Sequence, residues 1–215
     1  GTVCGAELYD NGNRVCTTEI DTLQSVTDRG FTTTNSISVA NLSATGKIIG
    51  GNNNTATGAN AAVLGGSLNN ANGVLSNVAG GSNNQASGNL SNVAGGLGNV
   101  ASSYYSNVAG GAGNTASGNC SNVAGGFGNT TSGTNSNVAG GYFNTASGNC
   151  SNIAGGELNY TGTNPALSGA PDEPYPIGLS GHNAFIGGGE SNQAIGNCSS
   201  VVGGLSGTAS GSYSN

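Results

Sequence analysis

Apolar residues recur at a fixed interval along most of this chain. The hexad Ser-Asn-Val-Ala-Gly-Gly begins at residues 76, 91, 106, 121 and 136, and a variant with Ile begins at 151, so the period is 15 residues. With Ser76 as position one, position three is apolar in ten repeats, positions five and six are a glycine pair, and position nine is almost always Asn. In this alignment, position three is occupied by Ile48, Val63, Val78, Val93, Val108, Val123, Val138, Ile153, Phe185 and Val201. A repeat this short is one coil of a solenoid, not a domain.

Each coil is predicted to contain two short extended segments. In the coil that begins at Ser76, Val78 and Ala86 would point inward, and the intervening glycines would allow the positive φ angles of tight corners. Frequent glycine and β-branched residues disfavour a helix. Stacked coils would lie about 4.8 Å apart, and the Asn residues of position nine would form a hydrogen-bonded ladder. The pattern therefore predicts an all-β protein, a parallel β-solenoid of 15-residue coils.

The predicted interior is small. One Val and one Ala per coil provide little apolar burial against the roughly 1–2 kcal/mol of backbone entropy lost for each ordered residue. Because 42 of the 215 residues are glycine and only 5% are aromatic, the remaining positions add little. We therefore expect a homo-oligomer in which the chains bury surface against one another.

The period divides the chain into four segments. Residues 1–45 lack the repeat and form a neck or attachment segment, 46–165 hold the first solenoid coils, 166–182 form an inserted Pro-rich loop, and 183–215 continue the solenoid. Within the neck, Asp21 and Gln24 suggest the start of a two-turn helix that ends at Gly30, and 36–39 alternate as a strand does. A linker without regular structure is the alternative. The start without Met and the end within a repeat also suggest a fragment of a longer protein.

Charge excludes several functions. Residues 48–156 contain no Asp, Glu, Lys or Arg, and the whole chain has three basic residues and a formal net charge of −6. Nucleic acid is therefore not an expected partner, because its phosphates need basic side chains. The calcium-binding nonapeptide solenoid is excluded too, since each of its repeats needs an Asp. No apolar stretch approaches the ~20 residues of a membrane span, so membrane insertion is not expected.

Catalysis and metal binding are also not expected. His182 is the only histidine, so any Ser-His-Asp or Cys-His site would have to combine it with the loop acids Asp172 or Glu173. The Gly-rich runs lack the Lys-Ser/Thr of a phosphate-binding loop. The cysteine spacings do not form a metal cluster. The sequence thus predicts a protein that is not an enzyme and that has no cofactor.

The five cysteines fall into two groups. Cys120, Cys150 and Cys198 all occupy position fifteen of their coils. Cys120 and Cys150 would lie two coils apart, about 10 Å, which is too far for a disulfide, so free thiols are expected. Cys4 and Cys16 in the neck could form a disulfide within one chain or between chains, or remain unpaired.

Two sets of residues are candidates for recognition. A loop that leaves a rigid rod is a common place for a binding determinant, and the inserted loop supplies Asp172, Glu173, Tyr175 and His182. A surface insertion without a partner is the alternative. At the variable corners of the coils, Tyr104, Phe127 and Tyr142 could stack on sugar rings of a glycan, or they could fill contacts between chains or cap the corners.

Two resemblances bear on function. Leu-Tyr-Asp-Asn-Gly-Asn-Arg-Val at 8–15 and the stretch from 22 to 39 resemble the neck found in tail-fibre proteins of marine bacteriophages. The coils are similar to the YadA-like head repeat of trimeric autotransporter adhesins, in which Val78, Ala79, Ala86 and Gly88 match in type and spacing. This period is 15 where that repeat has 14, and Gly80 replaces an Ile. Together they imply a left-handed, trimeric β-roll on a surface appendage.

The expected function is therefore attachment. The first hypothesis is a structural and receptor-binding fibre on the tail of a virus, with a host cell-surface glycan or protein and other fibre or virion proteins as partners. The second is the head of a bacterial trimeric adhesin on the cell surface. An ice-binding solenoid is a third class, but the Thr row of position ten is broken by Gln85 and Val100.

Overall fold

The structure, a computed structural model, describes residues 8–10, 13–15, 47–162 and 181–215. The chain separates into two compact units, residues 1–43 and 44–215. In the first unit, β1 (Leu8–Asp10) and β2 (Asn13–Val15) pair antiparallel. The predicted helix that begins at Asp21, the predicted strand at 36–39, and Cys4 and Cys16 lie outside the described residues.

The second unit contains two ten-stranded parallel sheets, and every strand in them is two residues long. The first sheet consists of β3 (Ile48–Ile49), β5 (Ala62–Val63), β7 (Asn77–Val78), β9 (Asn92–Val93), β11 (Asn107–Val108), β13 (Asn122–Val123), β15 (Asn137–Val138), β17 (Asn152–Ile153), β19 (Phe185–Ile186) and β21 (Ser200–Val201). The second sheet consists of β4 (Thr55–Ala56), β6 (Asn70–Ala71), β8 (Gln85–Ala86), β10 (Val100–Ala101), β12 (Thr115–Ala116), β14 (Thr130–Thr131), β16 (Thr145–Ala146), β18 (Tyr160–Thr161), β20 (Gln193–Ala194) and β22 (Thr208–Ala209).

Successive coils stack in the register that the repeat predicts. Strand β11 pairs with β9 before it and β13 after it, so that Val108 lies between Val93 and Val123. The second sheet follows the same rule, with Ala101 between Ala86 and Ala116. The predicted all-β fold, a parallel β-solenoid of 15-residue coils, is confirmed, and the described part of the chain contains no helix.

Each coil has a small interior formed by four inward positions. Val78 at position three and Ala86 at position eleven are fully buried, as predicted. The polar residues Ser76 at position one and Asn84 at position nine are also buried. Alternation along a two-residue strand explains this placement, because one side chain points inward and its neighbour points outward.

The corners depend on left-handed backbone. Gly81, at position six, has φ +84°, and a Cβ placed there would overlap the carbonyl oxygen of Gly96 in the next coil. Gly80, before it, has open space around the position of a Cβ. Position fifteen is left-handed as well, but it carries side chains, with φ +58° at Leu90 and +55° at Cys120. Of the Gly80–Gly81 pair, only Gly81 is therefore required by the backbone.

The observed register corrects two residues assigned to position three. Ile49, not Ile48, pairs with Val63, because the first coil is one residue shorter between its strand and its corner. Ile186, not Phe185, pairs with Ile153 and Val201. In both cases two apolar residues are adjacent, so the pattern alone does not decide the register. Ile186 is buried in the interior, whereas Ile48 and Ile49 of the first coil are both exposed. Phe185 instead points outward and is exposed.

The solenoid continues on both sides of the insertion. The coil before it is described as far as Gly162, and the coils after it are described from Gly181 onward. Strand β17 pairs directly with β19, and β18 pairs directly with β20. Coils on the two sides of the insertion therefore stack as neighbours.

Candidate functional site

Side chains at position seven form a column along the outside of the solenoid. Each residue makes a single parallel bridge to its equivalent in the next coil. The column consists of Asn52, Ser67, Ser82, Leu97, Ala112, Phe127, Tyr142, Glu157, Glu190 and Leu205. Because a parallel bridge places equivalent residues at the strand spacing of about 4.8 Å, neighbouring side chains in this column can contact one another.

Three aromatic residues, Phe127, Tyr142 and Phe143, form a cluster on this column. The rings of Phe127 and Tyr142 stack with centroids 5.4 Å apart and an interplanar angle of 14°. The ring of Phe143 stands nearly perpendicular to both, at 5.4 and 4.5 Å. All three side chains are between 44% and 47% exposed. Phe127 and Tyr142, which were predicted as recognition residues, are thus brought together on the surface.

Phe143 was not predicted from the sequence. It occupies position eight, where three consecutive earlier coils have Gly98, Gly113 and Gly128. Its backbone is left-handed, with φ +51°, and its ring covers the place where a Cβ on Gly128 would be. The signal in the sequence was the change from glycine to a large aromatic residue at this corner. A bulky side chain with left-handed backbone is unfavourable, so its presence there points to a specific role.

Tyr104 lies at a different corner of the solenoid. It occupies position fourteen, and its ring packs edge-on against that of Tyr105, with centroids 4.3 Å apart. A hydrogen bond with the Tyr105 side chain, followed by the charge of that neighbour, raises the pKa of the Tyr104 phenol. Tyr104 therefore forms a separate tyrosine pair and is not part of the position-seven column.

The predicted loop site is only partly within the described structure. Asp172, Glu173 and Tyr175 lie outside the described residues. His182 is half-buried in the turn that begins the next coil, where its backbone N–H donates to Asn197 Oδ1 over 3.2 Å. Its backbone carbonyl accepts from the N–H of Cys198 over 2.8 Å. His182 thus occupies the same position of the repeat as Asn197.

The outward residues of the first sheet form an asparagine ladder at position two. Each side-chain amide except that of Asn152 donates to the amide oxygen of the equivalent Asn in the next coil, over 2.6 to 2.9 Å. The ladder consists of Asn77, Asn92, Asn107, Asn122, Asn137 and Asn152. Beside it runs a column of exposed alanines at position four, Ala79, Ala94, Ala109, Ala124, Ala139 and Ala154. This part of the face therefore combines amide and methyl groups and carries no charged side chain.

Position nine forms the predicted ladder, but mainly with backbone partners. The amide of Asn84 donates to the carbonyls of Gly80 and Gly96, and its backbone N–H donates to Asn69 Oδ1. A direct bond between side chains joins Asn144 to Asn129, over 3.1 Å. These buried amides are therefore structural, because they satisfy the carbonyl groups of the glycine corner.

The three cysteines of the described coils are free, as predicted. Cys120 and Cys150 are exposed, and Cys198 is half-exposed. Within the described ranges, no group of three His, Cys, Asp or Glu side chains converges as a metal site would require. None of the described residues lies in a helix long and apolar enough to cross a bilayer.

No protein-family model matches the chain, and no curated protein gives a significant match.

Proposed function

We propose that this chain is part of a homotrimeric, left-handed β-solenoid fibre that attaches a tailed virus to the surface of its host cell. The observation that carries this proposal is the difference between the inward and the outward positions of each coil. The inward positions repeat almost without change, whereas the outward corner at position seven varies from Ser82 to Phe127 and Glu157. A rigid scaffold with variable corners suits recognition. The neck resemblance at 8–45 favours a virus.

Self-association is supported by the small interior. The described coils bury only Val or Ile, Ala, Ser and Asn over most of their length, and they leave Leu64, Leu68 and Leu75 exposed. Contact between three chains would bury some of this apolar surface and add to the stability of each chain. Other fibre or virion proteins would hold the neck, and a glycan or protein on the host cell would contact the coils or the inserted loop.

Two measurements test this proposal. Mass photometry of the purified chain is expected to give the mass of a trimer, and a folded monomer would contradict it. The purified protein is then added to host cells before the virus, and it is expected to reduce adsorption of the particles by competing for the same surface. Deleting 166–181 tests the loop: if the shortened protein competes equally well, the loop is not the receptor-binding determinant.

The second candidate is the head of a bacterial trimeric autotransporter adhesin. The match of Val78, Ala79, Ala86 and Gly88 to the head repeat of that family favours it, since Val78 and Ala86 fill the interior of the coil. The genes that flank the coding sequence separate the two candidates. Baseplate and capsid genes indicate the viral fibre, and an outer-membrane anchor in the same reading frame indicates the adhesin.

A further inference from the structure

The aromatic cluster leaves one ring face of Phe127 uncovered by its neighbours in the cluster. Phe127 and Tyr142 are stacked, so one face of Phe127 lies against Tyr142 and the other is turned towards the preceding residue of the column, Ala112. Phe143 meets both rings edge-on at position eight. The outer face of Phe127 therefore overlooks the coil that carries Ala112.

That coil provides a gap between two larger side chains. Leu97 and Phe127 lie on either side of Ala112 in the position-seven column, two coils and so about 9.6 Å apart. The adjacent corner residues are Gly98 and Gly113, and the space around a Cβ at either of them is open. We call this gap the Phe127 slot. Its walls are the Leu97 and Phe127 side chains, and its floor is Ala112 with the two glycines.

The electrostatic surroundings of the slot restrict its ligand. It lies within residues 48–156, which contain no charged side chain, and the nearest charges along the column are the carboxylates of Glu157 and Glu190. A sialylated, sulfated or phosphorylated ligand would find no cation in the slot to offset the loss of its hydration. Glu157 lies three coils from Ala112, about 14 Å, so it adds only a weak, screened repulsion. A neutral ring with an apolar face suits the exposed ring of Phe127.

We propose that the Phe127 slot binds one ring of a neutral sugar, stacked on the outer face of Phe127. This inference rests on the proposed attachment function and specifies its ligand class: neutral glycans, not anionic ones. Ala112 is a specificity-determining residue in this arrangement, because a side chain as large as Leu there would fill the slot. The repeat itself provides a matched pair of variants, since position seven is Leu97 in one coil and Ser82 in another.

The test compares Ala112→Leu with Ala112→Ser. Both introduce a residue that the solenoid already carries at position seven, so both are expected to fold, and circular dichroism checks that they do. The unaltered protein and both variants are applied to an array of neutral, sialylated and sulfated oligosaccharides. The unaltered protein and Ala112→Ser should bind neutral oligosaccharides, and Ala112→Leu and Phe127→Ala should bind about ten-fold more weakly. Val202→Ala, at an exposed apolar residue outside the position-seven column, should bind as the unaltered protein does.

Several results would overturn this assignment. They are equal binding by Ala112→Leu and the unaltered protein, binding of anionic oligosaccharides only, and no binding to any neutral oligosaccharide. Dissociation of the assembly by Phe127→Ala would show that the ring packs between copies of the chain. The adsorption assay distinguishes failure of the Phe127 slot from failure of the attachment function. If the unaltered protein and Ala112→Leu both block adsorption, the slot is wrong and the fibre stands; if neither blocks it, the attachment function fails.

Discussion

The amide nitrogen of Asn107 lies 2.6 Å from the amide oxygen of Asn122, one coil further along the solenoid. Asn107 also accepts a hydrogen bond from Asn92 over 2.8 Å. Each Asn of the position-two ladder, apart from those at its two ends, thus makes two hydrogen bonds between side-chain amides, on a face without charged side chains. The side chains that link the coils are therefore located on the outside of the sheet as well as in the interior.

Replacing Asn107 by Ala should lower the free energy of unfolding by about 1–3 kcal/mol, because two hydrogen bonds are lost at 0.5–1.5 kcal/mol each. Asn152 provides the control. Its side-chain oxygen accepts a hydrogen bond from Asn137. The residue paired with it in the next coil is Phe185, whose side chain has no amide to continue the ladder. Asn152→Ala should therefore cost about half as much. Urea denaturation measures both values, and equal losses would show that the ladder does not act through these bonds.

The two glycines of a corner should respond differently to alanine. Gly81→Ala combines a left-handed backbone with an overlap against the carbonyl of Gly96, so a loss of about 2–4 kcal/mol is expected. Gly80→Ala places a methyl group in open space and should change stability by less than about 0.5 kcal/mol. Thermal unfolding of the two variants makes the comparison. Similar melting temperatures would contradict the assigned corner geometry.

Two buried threonines at position eleven differ in one hydrogen bond. The hydroxyl of Thr131 has no partner within the described structure, whereas that of Thr161 donates to Ser151 Oγ over 2.8 Å. Valine has nearly the same shape and removes only the hydroxyl. Thr131→Val should therefore stabilise the protein by about 1 kcal/mol, and Thr161→Val should destabilise it by about 1 kcal/mol. Chemical denaturation gives both signs, and a loss of stability in Thr131→Val would show that its hydroxyl is satisfied.

Tyr160 should make stability depend on pH in the alkaline range. Burial raises the pKa of its phenol above the ordinary value of about 10, and a hydrogen bond with Ser147 partly offsets this effect. The unfolded chain therefore loses this proton at a lower pH than the folded chain. The contribution is complete below about pH 10 and is lost as pH rises through the folded-state pKa. Stability measured from pH 8 to 11 should fall less steeply in Tyr160→Phe, and parallel curves would exclude this residue as the cause.

Much of the coil could be predicted from the sequence, because its period is regular and each strand has only two residues. Val78 and Ala86 were placed inward, and the glycine corner and the stacking register were correct for the unbroken repeats. Prediction of the register failed where two apolar residues adjoin, at Ile48 and Ile49 and at Phe185 and Ile186. Only at the later pair does one of the two side chains enter the interior, and there the corner determines which one. For the later pair, Asn192 marks the corner, since it pairs with Asn159.

The candidate site was predicted less completely. Phe127 and Tyr142 were identified because they vary within a regular column. Phe143 was missed, because a left-handed corner would be expected to carry Gly or Asn. The position-two ladder was also missed, because an invariant Asn inside a hexad does not reveal whether its amide points outward to a neighbouring coil or inward to the backbone.

The direction of the hydrogen bonds has a mechanical consequence. In both sheets, and in the position-two ladder, the bonds run from coil to coil along the rod. A pulling force along the rod is therefore shared by all the bonds between two coils, while the successive junctions carry the same load one after another. Rupture should begin at the junction with the fewest bonds. The junctions outside the amide ladder, such as Asn152 to Phe185 and Phe185 to Ser200, lack this bond, and such a fibre is expected to part there before it parts between Asn77 and Asn152.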